Sequence, residues 1–363
     1  MMFSLFNKFL PQGLLAYRKE LKQNSGDISP GWYFIRYPYA IRIGSAVPVS
    51  VREDFSERLF SVKSISGFII RLYTMLFSLI RIRHSGGQPV PANRTLIKRS
   101  MHGHLMMFDF NHKMVIIKYR DAGLAARIAG YTSMEPGYLP VLKVDYDGKS
   151  TVQSPMVKGI NLYSTGADVR YERFRALLGY FLERIEATRS RGRYLTAAEA
   201  ADFIDRNTKN YFPDELMRQL SARREQITRI LTSIPVIFSH GDLHSENILV
   251  REPAADVKPG EDLVVIDFEH CCHMHAFYDL VYNPFDGFIA GYDTSFFDEM
   301  CSGTFDREYR AIFRFYMPDA PPDFMDVICA FIICRAERGR LYPTDKLDNV
   351  TALAASGRKL PAL

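Results

Sequence analysis

His240-Gly241-Asp242-Leu243-His244-Ser245-Glu246-Asn247 is followed downstream by Ile266-Asp267-Phe268-Glu269. These two segments place a carboxylate, an amide and a second carboxylate beside short apolar runs. Pro235-Val236-Ile237-Phe238 precedes the first segment, Ile248-Leu249-Val250 closes it, and Leu263-Val264-Val265-Ile266 leads into the second. Short β-branched runs bounded by polar residues predict buried strands. A loop held between buried strands is rigid, as chemistry by positioning requires.

Moving a γ-phosphoryl group asks for such a set. It needs an in-line nucleophile and neutralisation of phosphate charge, with little covalent work from the protein. Asp242 suits the orientation or deprotonation of an attacking hydroxyl. Mg²⁺ takes a few protein oxygens together with phosphates and waters. Asn247 offers a neutral oxygen for it and Asp267 a charged one. The bland alternative is a strand-turn-strand whose polar turn residues do no chemistry. No Ser-His-Asp or paired-carboxylate hydrolase arrangement competes with the phosphoryl reading.

The pattern His-Gly-Asp-x-x-x-x-Asn followed by Ile-Asp-Phe-Glu resembles the aminoglycoside phosphotransferase and choline kinase-like group. That resemblance implies an α+β, two-lobed protein-kinase-like fold, with a small, mostly β nucleotide lobe and a larger, mostly helical lobe. Glu269 stands where protein kinases have the Gly of Asp-Phe-Gly, which points to a small-molecule kinase. Tyr278-Asp279-Leu280 matches a pattern in which the Asp supports the catalytic loop, and His240 is expected to hold that loop too.

Under the same resemblance the upstream half holds the nucleotide lobe. Thr95–Lys98, Leu105–Phe110 and Met114–Tyr119 read as strands, with a turn around Gly103 placed to cover phosphates. Val115-Ile116-Ile117-Lys118 resembles the kinase strand whose Lys meets the α- and β-phosphates. The Glu that normally holds this Lys is missing from 121–133. Glu135 is the nearest candidate, but Pro136-Gly137 would end a helix there. Otherwise Lys118 is held differently. Val141–Val144 and Thr151–Val157 read as the last strands of this lobe. Residues 154–159, including Met156, form the expected hinge toward adenine. The resemblance thus implies Mg²⁺ and ATP, with GTP left open, and a small hydroxylated acceptor.

Tyr171, Phe174, Leu177, Leu178, Phe181, Leu182 and Ile185 recur at helical spacing, and Asp214–Leu231 and Phe324–Glu337 read as further helices. The domain reading is an extension over 1–93, a small lobe over 94–157 and a large lobe over 158–363.

Composition agrees with two lobes in 363 residues, and 47% hydrophobic content is ordinary for a globular protein. Five cysteines, an odd number clustered late, suggest no disulfide framework. No apolar run is long enough to span a bilayer and no cleavable signal stands out, so a cytoplasmic location is expected. Residues 1–100 hold 15 Lys or Arg against 5 Asp or Glu, whereas the rest hold 31 against 36. An amphipathic helix is expected near 62–83, with Ile65, Phe68, Ile69, Leu72, Met75, Leu76 and Leu79 on one face and Lys63, Arg71 and Arg81 on the other. Its apolar face would pack on the small lobe or a partner subunit; the alternative is peripheral contact with the inner face of a membrane. Residues 32–41 read as strands interrupted at Pro38. Nucleic acid is not an expected partner. His270-Cys271-Cys272-His273-Met274-His275 has poor chelate spacing and is read as structural or as part of an acceptor site. The other functional readings are a membrane-associated glycan or lipid kinase and a catalytically silent nucleotide-binding scaffold.

Overall fold

A computed structural model describes residues 12–36, 39–42, 79–83, 94–100, 103–134, 137–209, 212–251, 260–340 and 342–356. The chain divides into two compact units, residues 1–130 with 143–156 and residues 131–142 with 157–363. The first is mostly β and the second mostly helical, the α+β division expected.

The first unit is built on one antiparallel sheet of eight strands. They are β1 (Gly31–Arg36), β2 (Tyr39–Arg42), β3 (Leu79–Ile82), β4 (Arg94–Arg99), β5 (Leu105–Asp109), β6 (Met114–Lys118), β7 (Asp145–Tyr146) and β8 (Thr151–Pro155). Their order is β3-β1-β2-β4-β5-β6-β8-β7. Alternation explains the shape: Leu105, Met107 and Asp109 of β5 are buried while Met106 and Phe108 are less so. The register Tyr39↔Lys98 and Ala40↔Ile97 makes β2 a neighbour of β4, so strands from residues 31–42 continue the sheet that begins again at Arg94.

A helix, Gln12–Gln23, adds Tyr17 and Leu21 to a core shared with Ile28, Tyr33, Ile35, Ile80, Ile97, Met107 and Ile116. The helix expected near 62–83 is corrected at its end. Leu79–Ile82 is a strand paired with β1 through Phe34↔Leu79 and Trp32↔Arg81. The period-2 pattern Leu-Ile-Arg-Ile buries Ile80 and Ile82 on one face, and this outcompetes helical spacing. Residues 62–78 of that expected helix lie outside the described residues. None of the described helices is long and apolar enough to cross a membrane.

The strand expected at Val141–Val144 is also absent. Val141 makes only an isolated parallel bridge to Val265, and the pairing moves on to Asp145–Tyr146.

The second unit carries its loops on small sheets. β11 (Ile248–Arg251) lies between β9 (Gly159–Asn161) and β12 (Leu263–Val265), and β10 (Val236–Ser239) pairs with β13 (Cys272–His275). The long helix expected from Tyr171 is two, Ala167–Leu182 and Ile185–Arg191, separated where Arg184 N closes on Phe181 O at 3.0 Å. The helix expected over 214–231 also divides, into Asp214–Ala222 and Arg224–Ser233. Arg223 at the bend reaches Asp326 at 2.7 Å. Phe324–Glu337 is helical as expected, started by Asp323, whose side chain accepts from Met325 N at 2.8 Å. It is apolar on nearly every side and is buried accordingly.

Helix Phe277–Ala290 contains Pro284, which has no N–H to give to Leu280 O. The buried carbonyl is satisfied from outside: Tyr309 OH, on helix Asp306–Tyr316, donates to it at 2.8 Å.

His275 is fully buried at the end of β13, with Nδ1 2.8 Å from Ile234 O. Burial pushes its pKa down to about 4. The unfolded chain therefore binds this proton more tightly than the folded one. The contribution is whole above the unfolded value near 6.5 and is lost as pH falls toward the folded value. Unfolding free energy should drop by up to about 3 kcal/mol across that window through His275 alone. Urea unfolding between pH 7 and pH 4.5 reads this loss. The slope should be smaller by about one proton in His275→Asn, and an identical slope would refute the assignment.

Candidate active site

The loop between β10 and β11 is fixed by one buried carboxylate. Asp279, in the first turn of helix Phe277–Ala290, accepts from His240 N at 2.7 Å, Gly241 N at 2.8 Å and Tyr138 OH at 3.0 Å. Ile266 O lies 2.8 Å from His240 Nε2, and the ring of Phe268 meets the imidazole edge-on at 4.7 Å. His240 thus ties the two motif segments together. Gly241 has φ +79, and a Cβ there would sit 2.6 Å from His270 O and from the Arg338 guanidinium. Only glycine fits this turn.

Asp242 emerges from it half-buried. Its Oδ1 accepts from Tyr282 OH at 2.6 Å and from Arg340 Nη1 at 2.8 Å. His270 Nε2 lies 3.7 Å and His244 Nε2 4.0 Å from Oδ2. Burial pushes the Asp242 carboxyl up, but the Tyr282 hydrogen bond and the charges of Arg340, His244 and His270 outweigh it. The net result is below the usual carboxylate range. Tyr282 stays a donor because burial drives its phenol far upward. Its oxygen accepts from Arg335 Nη1 at 2.9 Å, and Arg335 is neutralised by Asp286 at 2.7 Å. Tyr342 and Tyr292 donate to the two Asp286 oxygens at 2.6 and 2.8 Å. Arg338 donates to Gly241 O, and to His270 O at 2.7 Å, clamping the same turn.

Strand register brings the expected metal ligands together. Ile248 faces Val265, and Ile266 N donates to Asn247 O at 2.9 Å, which puts the end of the first segment beside the start of the second. Asn247 Nδ2 donates to Asp242 O at 2.9 Å and lies 3.1 Å from His244 Nε2, so its amide nitrogen is spent and its Oδ1 faces no described donor. Asp267 has φ 64 and ψ 64, the left-handed region that non-glycine residues seldom occupy, and no described residue engages its exposed carboxylate. Strain of this kind persists where the surroundings over-determine it. Among the described residues no cluster of three His, Cys, Asp or Glu side chains forms a metal nest. One Asn and one Asp with uncommitted oxygens fit Mg²⁺, which takes its remaining ligands from phosphates and water.

Of the other expected site residues, Lys118, Gly103 and Met156 lie in the first unit. Lys118 ends β6, and its Nζ is 2.5 Å from Asp27 Oδ2, a partner absent from the sequence reading. Glu135 lies outside the described residues. Gly103 has φ +81 and sits in a turn closed by Ser100 N to His104 O at 2.9 Å. A Cβ there would meet the Arg120 guanidinium at 2.7 Å. Met156 follows β8, and its N–H is spent on Lys113 O at 2.6 Å, leaving only its carbonyl for a nucleotide.

Tyr282, Asp286, Arg335, Arg338 and Arg340 were not singled out from sequence. Tyr282 and Asp286 follow Asp279 at three and seven residues on one helix, a face that could have been read. The arginines carry no comparable signal.

Residues 156–315 match the model of the phosphotransferase enzyme family, and both motif segments fall inside that span. Over those residues the chain is similar to that family, in keeping with its resemblance to the aminoglycoside phosphotransferase and choline kinase-like group. Solved structures similar to it include an aminoglycoside phosphotransferase from Streptomyces rimosus, at 14% identity and TM-score 0.39, covering 69% of this chain and 90% of that one. An ethanolamine kinase from Plasmodium vivax aligns at 15% identity and TM-score 0.35, covering 87% and 95%. A second aminoglycoside phosphotransferase aligns at 12% identity and TM-score 0.44, covering 86% and 99%. No curated protein matches the chain. The likeness rests on the match over residues 156–315 and on the two motifs within it.

Proposed function

We propose that the chain transfers the γ-phosphoryl group of ATP, with GTP the alternative donor, from its Mg²⁺ complex to a hydroxyl of a small molecule or glycan. The observation that carries this reading is the loop itself. Asp242 is held by a buried carboxylate beneath its turn, and Asn247 and Asp267 are drawn together by the β11–β12 register with their oxygens uncommitted. In this reading Asp242 orients the acceptor hydroxyl and takes its proton late in transfer, Asn247 and Asp267 hold Mg²⁺, and Lys118 meets the nucleotide phosphates. The Gly103 turn covers those phosphates and the chain around Met156 meets the base.

Thermal unfolding with and without nucleotide tests it. Mg-ATP or Mg-GTP should raise Tm, because a ligand bound only by the folded state stabilises it by mass action. The rise should require Mg²⁺ and should vanish in Asp267→Ala. No rise with either nucleotide at millimolar concentration would sink the reading. A Mg²⁺-dependent rise without phosphoryl transfer to any acceptor in a broad screen would favour the silent scaffold.

A further inference from the structure

We infer that Asp27 is the positioning residue for Lys118, standing in for the carboxylate that kinases draw from the helix after the lysine strand. The inference rests on Lys118 being the phosphate-contacting lysine of the proposed site. In the kinase arrangement a Glu from that helix pairs with the lysine and sets its reach toward the phosphates. Here the helix is Ala122–Thr132, Ala-Gly-Leu-Ala-Ala-Arg-Ile-Ala-Gly-Tyr-Thr, which carries no acidic residue. Asp121 just before it is turned to Arg127 at 3.7 Å. The lysine is nevertheless paired: Asp27 Oδ2 lies 2.5 Å from Nζ, from a segment 91 residues upstream.

That segment is anchored well enough to orient a side chain. Asp27 N donates to Asn24 O at 3.0 Å, and Asp27 O accepts from Arg94 Nη1 at 3.0 Å. The next two residues, Ile28 and Ser29, are fully buried, and Ser29 Oγ accepts from Arg94 N at 3.0 Å. The preceding helix is tied to β4 by Tyr17 OH on Ile97 O at 3.2 Å, and by Glu20 facing Arg99 Nε at 2.8 Å. Glu20 also meets Arg120 Nη2 at 3.0 Å. The Lys118 and Asp27 side chains are 32% and 38% exposed. A pair so open to water adds little to stability. What it does is hold a long, flexible ammonium in one place before a ligand arrives. Only part of the ammonium is covered, so phosphate oxygens can still reach it.

Mg-ATP affinity of the full-length chain, read by calorimetry, tests this. Asp27→Asn and Asp27→Ala should weaken binding about tenfold or more, the scale on which misplaced contacts act. Their ligand-free Tm should stay near wild type, and Asp27→Glu should recover most of the affinity. The effect must pass through the lysine, so Asp27→Asn should change little in a Lys118→Ala background. Equal or tighter binding by Asp27→Asn would overturn the inference, tighter binding meaning that Asp27 shields the lysine from the nucleotide. An equal loss in the Lys118→Ala background would overturn it as well. If the wild-type chain bound no nucleotide, the failure would lie with the proposed function instead.

Discussion

Asp242→Asn should lower kcat for the proposed phosphoryl transfer by about 10²- to 10⁴-fold, the range expected for a group that handles a proton in the transition state. The substitution keeps the shape of the side chain and its contacts with Tyr282 and Arg340 remain sterically possible. It removes the charge that, in the proposed mechanism, orients and relieves the acceptor hydroxyl. Nucleotide affinity should change little, because Asn247, Asp267 and Lys118 are untouched. ADP release, measured against a panel of sugars, amino alcohols and glycans, separates the two quantities. A variant within tenfold of wild type would remove Asp242 from its role. The pH profile carries an independent mark. Tyr282, Arg340 and the two histidines hold the Asp242 carboxyl below the ordinary carboxylate range. The acid limb of kcat/KM for this group must therefore fall below about pH 4. Loss of activity at higher pH would belong to another group or to unfolding.

Asp279→Asn should cost about 3 to 5 kcal/mol of stability, a large effect for one atom exchanged. Asp279 is fully buried and both its oxygens are occupied by donors, namely two backbone N–H groups and the Tyr138 hydroxyl. An amide can accept at one oxygen only, and its NH₂ would confront a donor left without a partner. For a unit of this size the Tm should fall by about 8 to 15 °C. Because the same N–H groups define the turn before Asp242, kcat should drop even well below the new Tm. Chemical denaturation and initial rates at low temperature measure the two effects separately. Wild-type stability with lost activity would mean the carboxylate orients the loop without holding it. Lost stability with full residual activity would mean the reverse.

The two motif loops were legible because their pattern is local. Asp242, Asn247, Asp267 and Asp279 occur at short separations, and the strands around them announce themselves as β-branched runs. Phe324–Glu337 was legible for a similar reason, an unbroken apolar stretch behind an Asp cap. Contacts made across long separations left no such trace. Asp27 reaches Lys118 over 91 residues, and Arg340 reaches Asp242 over 98, with no spacing rule to connect them. The strand Leu79–Ile82 was hidden by a helical period that ran into it from upstream. Four residues are too few for alternation to prevail until the register with β1 is known. The break near Arg223 is tertiary in origin, since the guanidinium that marks it is held by Asp326 on a distant helix.

The pairing of Pro284 with Tyr309 ties two positions together in substitution history. Proline in helix Phe277–Ala290 is tolerated because a hydroxyl from another helix replaces the lost backbone donor. The dependence runs one way: the carbonyl can accept two hydrogen bonds, so the hydroxyl would keep its partner without the proline, whereas the proline without the hydroxyl leaves Leu280 O unmet. Loss of the hydroxyl alone strands a buried carbonyl, whereas loss of the proline alone strands nothing. Related chains that carry the proline should therefore also carry the hydroxyl. The helix bearing Asp279, Tyr282 and Asp286 is thus expected to keep its proline only where a neighbouring helix supplies such a donor.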